Sequence, residues 1–86
     1  MTDAELVEKS LAGDRDAFGA LAERHRPMAR RIAMGMVHNI DTAREMASEA
    51  ILQAYLTLDR LQRPERFQSW LHGIVLNVCR AHLRDS

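Results

Sequence analysis

Between Phe18 and Val37 the chain sets apolar or uncharged side chains at Phe18, Leu21, Ala22, His25, Met28, Ala29, Ile32, Ala33, Met36 and Val37. Only an α-helix gathers that three-and-four spacing onto one side, because each step of three or four residues is close to a full turn. A helix with one long apolar face cannot stay folded alone and needs other elements packed against it. Pro27 falls inside the pattern but, on a helical wheel, opposite Phe18. The expectation is a helix that bends around a core at its solvent side and is not broken there. Arg24 and Arg31 flank one edge of the stripe, Arg26 and Arg30 the other. The wheel therefore predicts solvated flanks and no single basic patch.

The remaining segments repeat the helical signal. Thr2 followed by Glu5 has the form of a capping box, with Leu6, Val7 and Leu11 as an apolar stripe and Gly13 as the stop. Asp14 or Asp16 can cap the second helix. His38, Asn39 and Ile40 read as a connection, after which Asp41 or Thr42 starts a third helix running to about Arg60, with Glu45 placed for a second capping box. Pro64 and its polar neighbours mark a short basic loop over residues 61–66, and a fourth helix covers residues 67–84. The fold class expected is all-α: a compact bundle of about four helices, one short and three longer, forming a single domain over residues 1–86.

Composition narrows the function. An apolar share of 47% is ordinary for a globular chain. No apolar run approaches the ~20 residues that span a bilayer, and the acidic start lacks a signal peptide's basic and apolar regions. A lone cysteine, Cys79, has no internal partner, which points to a reducing, cytoplasmic setting and to a small apolar role for it. His25, His38, His72 and His82 lack metal-ligand spacing, and no nucleophile and base are paired. Neither an enzyme, a metal nor a cofactor is expected. Net charge is zero, which disfavours a free-standing, tight nucleic-acid binder. The charge is nonetheless uneven: residues 1–23 hold six acids against Lys9 and Arg15, while residues 60–84 hold five arginines against Glu65. Such a chain can present different surfaces to different partners.

Two helices carry more than core. On the third, Ala47, Ala50, Ile51, Ala54 and Leu58 form the buried face, with Met46 at its edge. The opposite side holds Glu45, Ser48, Glu49, Leu52, Gln53 and Leu56. Isolated exposed leucines are normal, but two of them one turn apart among carboxylates suit docking of another helix. On the fourth helix, Phe67, Leu71, Ile74, Val78 and Ala81 form the expected core stripe, with Trp70 at one edge and Asn77 beside it. Ser69, Gly73, Arg80 and Arg84 line the other side, and Leu76, Leu83, His72 and Cys79 make a third, mildly apolar sector. A mid-helix glycine costs ~1 kcal/mol relative to alanine, and close approach of another backbone is one reason to keep it. Asn77 and the arginines suit phosphate or base-edge contacts. The plainer account is a solvated arginine face, a packing glycine and a satisfied asparagine, and spacing alone does not displace it.

Taken together, GDRDAF at residues 13–18, DTAREMASEAILQAYLTLDRL at 41–61 and FQSWLHGIVLNVCRAHLR at 67–84 resemble region 2 of bacterial RNA polymerase sigma factors of the extracytoplasmic-function (ECF) type. The most specific part is the late pattern of Phe67, Trp70, Leu71, Ile74, Asn77, Leu83 and Arg84. The resemblance implies a transcription initiation factor. Its third helix would dock on the coiled coil of the polymerase β′ subunit through Glu45, Ser48, Glu49, Leu52, Gln53 and Leu56. The next loop and helix would melt the promoter −10 element and hold an unstacked non-template base through Gln62, Arg63, Arg66, Ser69, Trp70, Asn77, Arg80 and Arg84. An anti-sigma factor is a further partner such a family allows, and insertion in a membrane is not expected. Binding to polymerase would supply the affinity that a net-neutral module lacks.

The chain also departs from that pattern. Arg44 stands where the family usually has an acid, Ser48 where it has a glutamine, Ala81 where an aspartate is common, and Asp85 where an arginine often follows. The helix-turn-helix that reads the −35 element has no counterpart in these 86 residues. The alternative reading is a sigma-like interaction module that binds polymerase or an anti-sigma factor without sequence-specific DNA recognition.

Overall fold

The computed structural model describes residues 1–85. It contains helices α1 (Asp3–Leu11), α2 (Arg15–Val37), α3 (Ile40–Leu56) and α4 (Phe67–Asp85), with single 3₁₀ turns at Leu58–Arg60 and Pro64–Arg66 between the last two. No strand occurs among the described residues.

The caps set where each helix begins. Thr2 and Glu5 form the expected reciprocal box on α1, and Gly13 takes the left-handed backbone (φ 105°) that lets the chain turn sharply into α2. Asp14 caps α2, its carboxylate accepting from the Asp16 and Ala17 amides. Pro27 lies within the continuous helix, exposed as the wheel requires. His38 ends α2 in a left-handed conformation (φ 57°). The third cap differs from expectation. Asn39, not Asp41 or Thr42, caps α3, and its side-chain oxygen accepts from the Thr42 amide at 3.0 Å. With that amide taken, Thr42 is already helical and a box with Glu45 does not form. The helix also stops earlier than Arg60. The Thr57 hydroxyl donates to the Gln53 carbonyl at 2.7 Å, and the chain tightens into the first 3₁₀ turn.

α2 is the central strut and packs against all three other helices. Its seam with α3 is built from small side chains: Ala29 and Ala33 on α2, and Ala43, Ala47, Ala50 and Ala54 on α3, are almost fully buried. Small residues allow close axial approach, so cohesion comes from many backbone-proximal contacts. The other end of the core is aromatic. Phe67 packs edge-on to Phe18 (6.3 Å between centroids) and tilted to Trp70 (6.1 Å) and His25 (5.4 Å).

α4 is rotated from its predicted register. Phe67, Leu71, Val75, Val78 and Cys79 are buried, while Ile74 and Ala81 are only half-buried. The reason is that α4 packs against both α2 and α3 and touches α1 as well, so its buried stripe extends toward Val75 and Cys79. Of the mild apolar sector, Cys79 joins the core, Leu76 is half-buried, and His72 and Leu83 are exposed. Burial pushes the Cys79 thiol above its ordinary range, which makes it a poor nucleophile at neutral pH.

His25 is buried, in keeping with its place on the α2 stripe. Its ring nitrogen Nε2 lies 2.8 Å from Asp3, which also receives Arg24 at 2.8 Å. Burial works to raise the Asp3 carboxyl, but hydrogen bonds and charge from His25 and Arg24 outweigh it, and the group sits below its usual value. A carboxylate depressed in the folded state adds stability above the unfolded range of ~4, and loses it as pH falls through the folded value. The urea midpoint should therefore drop on acidification below about pH 4, and Asp3→Asn should flatten that limb. An unchanged limb in the variant would place the acid sensitivity elsewhere.

Candidate nucleic-acid and partner interfaces

The loop between α3 and α4 is short but fixed. The Arg60 amide donates to the Thr57 carbonyl, Leu61 to Leu58, and Arg66 to Arg63, all at 2.8–3.0 Å. Pro64 opens the second 3₁₀ turn, where its missing N–H and preset φ carry no penalty. The Ser69 hydroxyl donates back to the Arg66 carbonyl at 3.1 Å, tying the first turn of α4 to the loop. Arginines carried on this frame have little freedom of position at the Cα.

The frame encloses a basin of about 590 Å³ lined by Arg60, Leu61, Gln62, Arg63, Arg66, Ser69 and Trp70. Five of the eight sequence-predicted DNA-facing residues thus converge: Gln62, Arg63, Arg66, Ser69 and Trp70. No carboxylate lines the basin, and among the described residues Arg60, Arg63 and Arg66 form no ion pair. Three unneutralised guanidinium groups beside a half-buried indole offer phosphate contacts and a stacking surface in one place. Arg60 and Leu61 extend the predicted set; by sequence pattern Arg60 falls at the end of a helix, and only the early stop of α3 turns it into the loop.

The other three predicted residues lie elsewhere. Arg80 and Arg84 are exposed further along α4, Arg84 beside Asp85 at 3.5 Å. Asn77 does not share a cavity with Trp70. It lines a separate cleft of about 390 Å³ with Glu49, Gln53, His82 and Asp85, between α3 and α4. Asn77 lies seven positions beyond Trp70, about 10.5 Å along a helix, too far to wall one small basin.

Gly73 has no internal explanation. A Cβ built on it would meet nothing within 4 Å, so no neighbouring helix requires the glycine. Gly73→Ala should raise helix stability by ~0.5–1 kcal/mol, which moves Tm up by roughly 4–8 °C per kcal/mol in a domain this small. A lowered Tm in a thermal melt would show an unrecognised internal contact.

On α3, all six residues predicted to face a partner are exposed, including Leu52 (55%) and Leu56 (66%). Tyr55, which the sequence did not single out, stands between them, 43% exposed with its ring edge-on to Phe18 at 5.0 Å. Burying each leucine against a partner is worth roughly 1.5–3 kcal/mol. The α2 arginines also depart from expectation. Arg24 is held by Asp3 and Arg26 by Glu23, but Arg30 and Arg31 share one groove with Arg44 of α3. A wheel of α2 alone cannot show this, since the groove exists only where α3 crosses it.

The described residues thus form a small helical bundle with an exposed leucine-bearing helix face and a separate arginine-lined loop. Residues 21–86 match the family described as Sigma-70 region 2. Over 83 residues the chain is 35% identical to the ECF RNA polymerase sigma factor SigM of Mycobacterium tuberculosis, covering 96% of this chain and 42% of that protein. It is 31% identical over 81 residues to the RNA polymerase sigma-H factor of Pseudomonas aeruginosa, covering 94% and 42% respectively. Against the ECF RNA polymerase sigma-E factor of Escherichia coli the identity is 30% over 83 residues, covering 96% and 43%. The chain spans about two fifths of the length of these relatives. It belongs to the sigma-70 region 2 family, whose members are transcription initiation factors and not enzymes.

Proposed function

We propose that this chain is the promoter-engaging domain of an ECF-type sigma factor, acting as a single unit over residues 1–86 in the cytoplasm. Its α3 face docks on the polymerase core at the β′ coiled coil through Glu45, Ser48, Glu49, Leu52, Gln53 and Leu56. The loop and α4 take the non-template strand of the promoter −10 element. The observation that carries this reading is the arginine and tryptophan basin, which holds Gln62, Arg63, Arg66, Ser69 and Trp70 on a loop braced by its own hydrogen bonds. An unstacked base would enter beside Trp70 while the guanidinium groups hold the flanking phosphates. Arg80 and Arg84 would extend the phosphate track along α4, and Asn77 would serve a contact at the α3 junction. An anti-sigma factor would act by covering either surface.

Zero net charge fits a division of labour: phosphate contacts alone are too few for tight binding, and docking on polymerase raises the effective concentration of the strand at the basin. Arg44 and Ser48 at the docking helix sustain the second reading, an interaction module that binds polymerase or an anti-sigma factor and does not discriminate promoter sequences.

Two measurements test the two surfaces of the first reading. Leu52→Glu should abolish capture of the β′ coiled coil with helical circular dichroism unchanged, and retained capture would remove α3 as the docking face. Arg80→Ala with Arg84→Ala should weaken binding of single-stranded −10 DNA and reduce the salt slope by about 1.4, at ~0.7 for each phosphate no longer neutralised. An unaltered slope would exclude the α4 track.

A further inference from the structure

Opposite in kind to the loop basin is the groove between the C-terminal half of α2 and the first turn of α3. It measures about 340 Å³ and is lined by Arg30, Arg31, Met34, Ile40, Ala43 and Arg44. We propose that this groove docks an acidic amphipathic helix of a partner protein. This goes beyond the sigma reading and does not depend on it.

Charge and shape together select that occupant. The three arginines are exposed, no carboxylate lines the groove, and none of the three forms an ion pair among the described residues. The floor is aliphatic: Met34 is 41% and Ile40 57% exposed, with Ala43 buried beneath. Cations flanking an apolar strip complement a ligand with the reverse pattern, aliphatic anchors edged by carboxylates. A nucleic-acid strand would use the arginines, but without an aromatic ring the floor gives bases no stacking platform. A second copy of this chain is a poor match. Its acidic helix, α1, has Leu6 and Val7 in the core, and Asp3 is already bonded to Arg24 and His25. Methionine suits such a floor because its flexible thioether adapts to different anchors.

The test uses this 86-residue chain and two labelled synthetic helices about 18 residues long, each with leucines at three-and-four spacing. One is flanked by glutamates and the other by lysines. In fluorescence anisotropy the glutamate peptide should bind at least about tenfold tighter than the lysine peptide. Arg30→Glu, Arg31→Glu and Arg44→Glu combined should reverse that preference. Met34→Ser with Ile40→Ser, which alters no charge, should weaken the glutamate peptide about fivefold or more. All these side chains are exposed, so helical circular dichroism should be retained. Equal binding of the two peptides would overturn the proposal. So would a Met34 and Ile40 variant that binds normally, since bare charge attraction would then suffice. Displacement of the peptide by single-stranded oligonucleotide, with binding weakened only in the arginine variant, would make the groove a nucleic-acid surface. Self-association abolished in both variants would make it a contact between copies.

Discussion

The burial of Phe67 is the constraint on which the rest of the molecule turns. It is the first residue of α4 and almost fully buried, so the point where the arginine loop becomes a helix is pinned inside the core. Its ring meets Phe18 and His25 of α2 on one side and Trp70 on the other. His25 is in turn bonded to Asp3 of α1. One line of contacts therefore runs from the acidic N-terminal helix, through the aromatic core, to the tryptophan wall of the basin. Truncating a buried phenylalanine typically costs about 3–5 kcal/mol, a large part of the ~5–15 kcal/mol that holds a small domain together. Position of the basin and stability of the fold are not separable here.

The alanine seam solves the complementary problem. α3 presents Leu52 and Leu56 to solvent, where they give it no support within the domain, and only Tyr55 reaches back to Phe18 from that side. Ala43, Ala47, Ala50 and Ala54 seat it closely against α2 instead. The helix is then held by its back, and its front is free for a partner. The same close approach brings Arg44 over to Arg30 and Arg31, so the basic groove follows from the packing that seats α3.

What could be read in the sequence was what lies within a single helix. The spacing from Phe18 to Val37, the caps at Thr2 and Asp14, and the exposed Leu52 and Leu56 are all local and appear as anticipated. Five residues of the basin were also within reach, since they lie within nine positions and flank one proline. Quantities set by two helices together were not. The rotation of α4 toward Val75 and Cys79 depends on how the other three helices surround it, and the convergence of Arg30, Arg31 and Arg44 depends on where α3 crosses α2. Asn39 escapes sequence reasoning because a cap and a connecting residue look alike until the Thr42 amide is seen to bond it. Asn77 and Trp70 share a helix side in projection but not a site, as a wheel discards distance along the axis.

The central claim is that the basin is a weak DNA surface that becomes effective when α3 is anchored. The direct measurement is the affinity of the chain for single-stranded promoter DNA, alone and with polymerase core, at one fixed salt concentration. The account predicts feeble binding by the isolated chain and a gain of at least about a hundredfold with the core, as tethering supplies. Equally tight binding with and without the core would contradict it.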